Sequence, residues 1–344
     1  MAGLGLGSRV IAIVILNGML AAGRGPQVKQ LTLGAGTEAY PVVSPDGKWL
    51  AYERLQDDDP EGTEIWIMST DKGFQSARRV TPNGQFSSGP SWSTDSHWIS
   101  FAGAIHLPNQ YITHQLYKTN IITGEAVQLT HTSEKQYHAG IGIHPAWSQN
   151  GWIAFAMDGD IYGVKENGGE VVQLLKVQPG EGQDRELDFL AWSPDSKHIA
   201  FDVREFPKSG GDRADRWAAP EKNSIWIGDI DSGSIRRVSS GPWDMSPQWI
   251  DARRLLFVRG SKADKKFNIC ILDVPSGKVA KLTSGYVDWL PHVTPDGLSI
   301  VFSRLKDIPK GHGFDFLFGS HIFQMQIPNS ISSLAPAADK PGHP

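Results

Sequence analysis

Short alternating runs of apolar and polar residues fill this chain. Turn-forming residues break the runs at close intervals, which predicts many short strands in place of long helices. One pattern recurs six times. It reads Pro41-Val-Val-Ser-Pro-Asp46-Gly-Lys-Trp-Leu-Ala-Tyr52, then Pro90-Ser-Trp-Ser-Thr-Asp95-Ser-His-Trp-Ile-Ser-Phe101. It returns as Pro145-Ala-Trp-Ser-Gln-Asn150-Gly-Trp-Ile-Ala-Phe155 and Leu190-Ala-Trp-Ser-Pro-Asp195-Ser-Lys-His-Ile-Ala-Phe201. The last two copies are Pro247-Gln-Trp-Ile-Asp251-Ala-Arg-Arg-Leu-Leu-Phe257 and Pro291-His-Val-Thr-Pro-Asp296-Gly-Leu-Ser-Ile-Val-Phe302. Val43 and Val293 hold the same place in the first and last copies, 250 residues apart over five steps, a mean period of 50.

Each copy has the chemistry of a β-hairpin. A strand ends in Trp-Ser, a Pro-Asp-Gly type turn follows, and an Ile-Ala-Phe type strand returns. Pro presets φ, Asp bonds the local backbone and Gly or Ser closes the turn. Asp46, Asp95, Asp195 and Asp296 are therefore assigned to turns, and Trp92, Trp147, Trp192 and Trp249 to packing between repeats. A second hairpin follows, opening on strands such as Glu64-Ile-Trp-Ile-Met68 or Ser224-Ile-Trp-Ile227 and closing on Val127-Gln-Leu-Thr130 or Arg236-Arg-Val-Ser239. Four strands per unit of about 50 residues make a propeller blade. The sixth unit lacks its fourth strand after Phe323, while Val28-Lys-Gln-Leu-Thr32 near the N-terminus matches that strand. The expected fold is an all-β, six-bladed β-propeller of four-stranded antiparallel blades, its ring closed by the N-terminal strand, over residues 28–327.

These repeats resemble those of the TolB-like six-bladed propellers, whose blades carry a Pro-x-Trp-Ser-Pro-Asp-Gly-x-x-Ile-Ala-Phe pattern. The resemblance covers residues 28–326 and does not extend to the N-terminal α/β domain of TolB. It implies the fold. Function is left open, because such propellers serve as binding proteins, as domains of peptidases and as polysaccharide lyases. No Gly-x-Ser-x-Gly elbow of an appended hydrolase is present.

Composition narrows the picture further. Of 344 residues 40% are hydrophobic and 20% charged, which excludes a disordered or fibrous chain. A net charge of −4, from 33 basic and 37 acidic residues, gives no footprint for nucleic acid. The single Cys270 excludes an internal disulfide framework and falls within a strand, as a buried inert thiol. Residues 1–23 read as a secretory signal: Arg9, then an apolar run from Val10 to Leu16, then small residues at Ala21 and Gly23. An uncleaved anchor is the other reading. Residues 328–344, rich in Pro, Ala and Ser, are expected to be a disordered tail. The expected protein is an exported monomer, periplasmic or extracellular, with no spanning segment after signal cleavage.

Candidate chemistry lies on one face. Connections from second to third strand are long in five repeats, and they share a side with the connections between blades. Glu38, Asp244 and Asp288 each precede a blade's Pro by three residues, and Asp188 is one residue off that register. A ring of such carboxylates at the channel mouth is a candidate site for Ca²⁺ or another hard cation, or for Mn²⁺. Histidines gather nearby in sequence: His131, His138 and His144, with His106, His114, His292 and His321. Lyases resembling this family hold a divalent metal with channel His and Gln residues. An acidic tip, Asp57-Asp-Asp-Pro-Glu61, reads as a solvated loop. Aromatics outside the repeat positions, Phe86, Phe189, Trp217, Trp243 and Trp289 among them, suit a protein partner or a sugar ring. The predicted binding face is therefore Glu38, Phe86, His138, His144, Asp188, Trp217, Trp243, Asp244, Asp288 and Trp289, with no residue assigned as catalytic. The sequence favours a non-catalytic scaffold for a protein, cell-envelope component or glycan. A metal-dependent lyase or hydrolase acting on an oligouronide-type polysaccharide is the alternative.

Overall fold

The computed structural model describes residues 27–34, 36–56, 59–82, 86–106, 112–131, 142–177, 184–206, 222–261, 266–306 and 319–329. The expected signal, nearly all of the expected tail, the acidic tip at Asp57 and Asp58, His138 and Trp217 lie outside the described residues. Among those residues the chain is all-β, with one 3-10 turn at Gly73–Ser76, and no helix is long and apolar enough to cross a membrane.

A short strand, β1 (Val28–Gln30), comes first. Four four-stranded antiparallel sheets follow. The first holds β2 (Thr37–Val43), β3 (Trp49–Gln56), β4 (Asp59–Ser69) and β5 (Arg78–Arg79). The second holds β6 (Ser87–Trp92), β7 (Trp98–His106), β8 (Ile112–Asn120) and β9 (Ala126–Gln128). The third holds β10 (Ala146–Trp147), β11 (Trp152–Met157), β12 (Asp160–Lys165) and β13 (Val172–Leu175). The fourth holds β14 (Asp184–Trp192), β15 (His198–Phe206), β16 (Lys222–Asp229) and β17 (Ile235–Arg237).

The last seven strands and β1 form one eight-stranded sheet where two separate blades, the fifth and sixth, were expected. It contains β18 (Asp244–Trp249), β19 (Arg254–Ser261), β20 (Lys266–Asp273), β21 (Lys278–Lys281), β22 (Val287–Val293), β23 (Ser299–Leu305), β24 (His321–Gln326) and β1. A single parallel pair, Phe267 with Val287, joins its two four-stranded halves. The strand from the other end of the chain completes the second half: Val28 pairs with Met325 and Gln30 with Phe323, and Leu31 N–H donates to Ile322 O at 2.7 Å.

Three side-chain devices repeat and explain why these residues fold this way. In the first hairpin the Ser or Thr hydroxyl donates to the turn Asp or Asn, as in Ser44–Asp46 (2.6 Å), Ser93–Asp95 (2.5 Å), Ser148–Asn150 (2.6 Å) and Ser193–Asp195 (2.5 Å). The bond from Ser193 holds the Asp195 carboxyl below its ordinary pKa, so these carboxylates are turn braces, as the spacing predicts. The aromatic inside the second strand, Tyr52, Phe101, Phe155, Phe201, Phe257 or Phe302, is fully buried each time. Finally, a hydroxyl just past the fourth strand accepts a third-strand N–H: Thr81 from Ile65 (3.1 Å), Thr130 from Leu116, Ser239 from Ile225, Thr283 from Ile269 and Thr32 from Ile322 (each 2.9 Å).

Tryptophans knit neighbouring repeats. Trp92 Nε1–H donates to Val42 O (2.9 Å), Trp192 to Ala146 O (3.1 Å) and Trp249 to Ala191 O (3.2 Å), each reaching the preceding repeat's first strand. Trp147 departs from this pattern. Its indole donates to Glu166 within its own sheet, and Trp147 N–H donates to Ser91 Oγ instead.

Candidate functional site

The first strand of five repeats carries a register shift, between Ala39 and Val42, Ser88 and Ser91, Asp188 and Ala191, Met245 and Gln248, and Trp289 and His292. At each bulge one residue has positive φ: Tyr40 (52°), Gly89 (68°), Phe189 (50°), Ser246 (52°) and Leu290 (48°). Left-handed backbone is rare for Tyr, Phe and Leu, and bulges re-aim side chains. Tyr40, Phe189, Ser246 and Leu290 converge with His292 around a cavity of about 10 Å³, room for one water at most. His144 packs against two of these rings, 4.9 Å from Tyr40 and 4.1 Å from Phe189 and near parallel to both, while Tyr40 and Phe189 lie 6.2 Å from each other. The three rings form one buried cluster.

Beside these rings lies a buried polar network. His144 Nδ1 meets Asp188 Oδ1 at 2.6 Å; the other carboxylate oxygen accepts from Arg204 at 3.0 Å. Burial opposes the charge on Asp188, but His144 and Arg204 outweigh it and hold its pKa low. Glu53, 2% exposed, accepts from Ser88 Oγ (2.6 Å) and Gly89 N–H (2.7 Å), and burial raises its pKa. Asp202 is fully buried. It accepts from Asn223 at 3.0 Å while its Oδ1 has no partner, and burial pushes its pKa up to about 7.

The four ring carboxylates do not share a focus. Asp244 and Asp288 are each gripped by two guanidinium nitrogens, Asp244 by Arg259 (2.7 and 2.9 Å) and Asp288 by Arg304 (2.6 and 2.9 Å). Glu38 Oε2 meets His321 Nδ1 at 2.9 Å. Glu38, Asp244 and Asp288 are all fully buried. The one-residue offset of Asp188 puts its carboxylate on the other face of its strand, where it meets His144. Among the described residues no group of three or more His, Cys, Asp and Glu could hold a metal ion. Carboxylates already committed to buried guanidinium forks do not fit the open oxygen set of a Ca²⁺ or Mn²⁺ site.

The aromatic candidates divide. Trp243 and Trp289 are core residues, 3% and 8% exposed, packed with Phe189, Phe267 and Leu290, so neither presents a ring to a partner. Phe86 is half-buried, with its ring 5.3 Å from that of His114. His292 keeps a sealed, unpartnered Nδ1, and burial lowers its pKa to about 4. Cys270 is buried, with a thiol pushed up to about 11, as its strand position predicts. Sequence reasoning did not single out Glu53, Asp202, Arg259 or Arg304. Their signal was present in Tyr52-Glu53 and Phe201-Asp-Val-Arg204, where charge enters an otherwise apolar strand right after the repeat aromatic.

The fold is an all-β propeller of four-stranded antiparallel blades. No family model matches the sequence, and no curated protein matches it either. Solved structures do match. TolB from Acinetobacter baumannii is 19% identical with a TM-score of 0.53; the match covers 85% of this chain and 64% of that one, so the chain spans less than two thirds of that protein. An oligogalacturonate lyase in complex with manganese is 15% identical (TM-score 0.52), the match covering 88% of this chain and 80% of that one. A gluconolactonase from Xanthomonas campestris is 10% identical (TM-score 0.56), with 88% and 90% covered. At such identities the likeness shows the propeller fold alone.

Proposed function

We propose that this chain is an exported, TolB-like six-bladed propeller without catalytic activity, which binds a protein or cell-envelope partner through its long-loop face. The eight-stranded sheet reads as two blades bridged by one parallel pair, which with the four separate sheets makes six. The observation that supports the binding reading is that, among the described residues, the bulge aromatics pack on one another and Asp244 and Asp288 are already bound by guanidinium groups. Recognition then falls to the long connections, which share one face because successive antiparallel strands alternate in direction.

The test is a loop exchange. Replacing residues 207–221 with a Gly-Ser linker of equal length should preserve the melting temperature and abolish cross-linking to envelope components in the source cell. Unchanged cross-linking would overturn the reading. Export is tested by fractionation with N-terminal sequencing, with a mature terminus near Arg24 as the expected result.

The second reading, a metal-dependent lyase or hydrolase on an acidic polysaccharide, draws on the buried His144–Asp188 pair beside a polar network. It requires a metal that the described carboxylates do not suit. A melting temperature unmoved by Mn²⁺ or Ca²⁺ is the expected result, and a stoichiometric metal retained through purification would favour the enzyme instead.

A further inference from the structure

Apart from the bulge residues described above, a groove of about 260 Å³ separates β5 from the turn after β8. It is lined by Arg78, Arg79, Thr81 and Asn120, with apolar floor from Val80, Pro82 and Ala126. Its polar groups all point toward donation. Asn120 Oδ1 already accepts from Ile122 N–H (2.9 Å) and Thr123 N–H (3.0 Å), so its free capacity is the two N–H bonds of Nδ2. Thr81 Oγ1 is taken by Ile65 N–H. Arg79 is exposed and bound to Glu64 at 2.7 Å. Arg78 is exposed, lies over the Trp49 ring at 5.9 Å and donates to Ile121 O at 2.5 Å, which fixes the guanidinium in place. Among the described residues it has no carboxylate partner. An oriented guanidinium with unused donors, an outward amide and no acidic lining make a complementary surface for an anion.

We propose that this groove between the first and second sheets is a binding site for the carboxylate or phosphate group of a small ligand, with Arg78 as the principal contact. The site is separate from the long-loop face and does not depend on the proposed partner. Isothermal titration at low ionic strength with inorganic phosphate and with malonate tests it on the whole protein. Saturable one-to-one binding of at least one probe is expected. Arg78→Gln should weaken it about tenfold, as loss of one charge-assisted hydrogen bond does. Ala126→Glu, which places a negative charge in the lining, should weaken it as much, while Lys48→Gln outside the groove should leave it unchanged. Raising the salt to about 0.5 M should weaken binding further. Binding of phosphate alone or malonate alone identifies the ligand's anion and supports the site. No saturable binding up to about 50 mM of either probe, well past the millimolar range of a weak small-ligand site, or equal binding by Arg78→Gln and Ala126→Glu in variants with unchanged melting, would overturn it.

Discussion

A buried carboxylate is stable only with its partner, and here each partner lies on another strand. Asp288 is sealed and Arg304 nearly so, at 0% and 12% side-chain exposure. Arg304→Ala would leave an unpaired charge in the core and should cost about 3–5 kcal/mol in urea unfolding. Gly89 tests backbone freedom. A Cβ there would stand 2.1 Å from Ile143 O with φ at +68°, so Gly89→Ala should destabilise by roughly 2 kcal/mol or more, read in the same assay. Asp202 supplies the pH test. Its folded pKa, about 7, is far above the ordinary aspartate value, so the folded state holds the proton more tightly. That stability is fully present below about pH 4 and is lost as pH rises through 7. Glu53 acts in the same direction, whereas the depressed Asp188 loses its contribution only as pH falls below the ordinary carboxylate range. Melting should be higher at pH 6 than at pH 8, and Asp202→Asn should flatten the difference.

Among the elements, the fourth strands are short and exposed, so side chains must hold them. Thr130 Oγ1 accepts Leu116 N–H and donates to Gln115 at 2.7 Å; Thr130→Val should therefore cost about 1–3 kcal/mol in chemical denaturation. β1 uses the same device through Thr32, and the join is reinforced by Glu38 N–H to Ser320 O (3.0 Å) and Tyr40 N–H to Ser303 Oγ (3.1 Å). Deleting residues 24–33 exposes the β24 edge, which should lower the melting temperature and give oligomers in size exclusion. The match of Val28–Thr32 to Val127–Thr130 made this closing strand legible, since both obey one local rule. The hydroxyl brackets were visible as recurring Thr or Ser, but their purpose was not, because the N–H they bind lies 14 to 16 residues upstream within a sheet, and for Thr32 it lies 290 residues away.

For the whole molecule, burial bears directly on the candidate residues. Glu38, Asp244, Asp288, Trp243 and Trp289 sit beneath the surface, where they brace strands and fill the core. Whether a carboxylate there meets a cation from solvent or an arginine from its own sheet depends on register, and register is set by bulges that the sequence does not announce.

The sequence by itself determined the strands, the turns, the 50-residue repeat and the closing strand, because period-two alternation and turn chemistry act within a few residues of one another. Only the tertiary structure decided the electrostatics. His144 and Asp188 are 44 residues apart, Glu53 and Gly89 36, and Glu38 and His321 283. Charges become partners by the approach of separate strands, and that approach, through bulges and packed rings, is a tertiary event that no local pattern encodes.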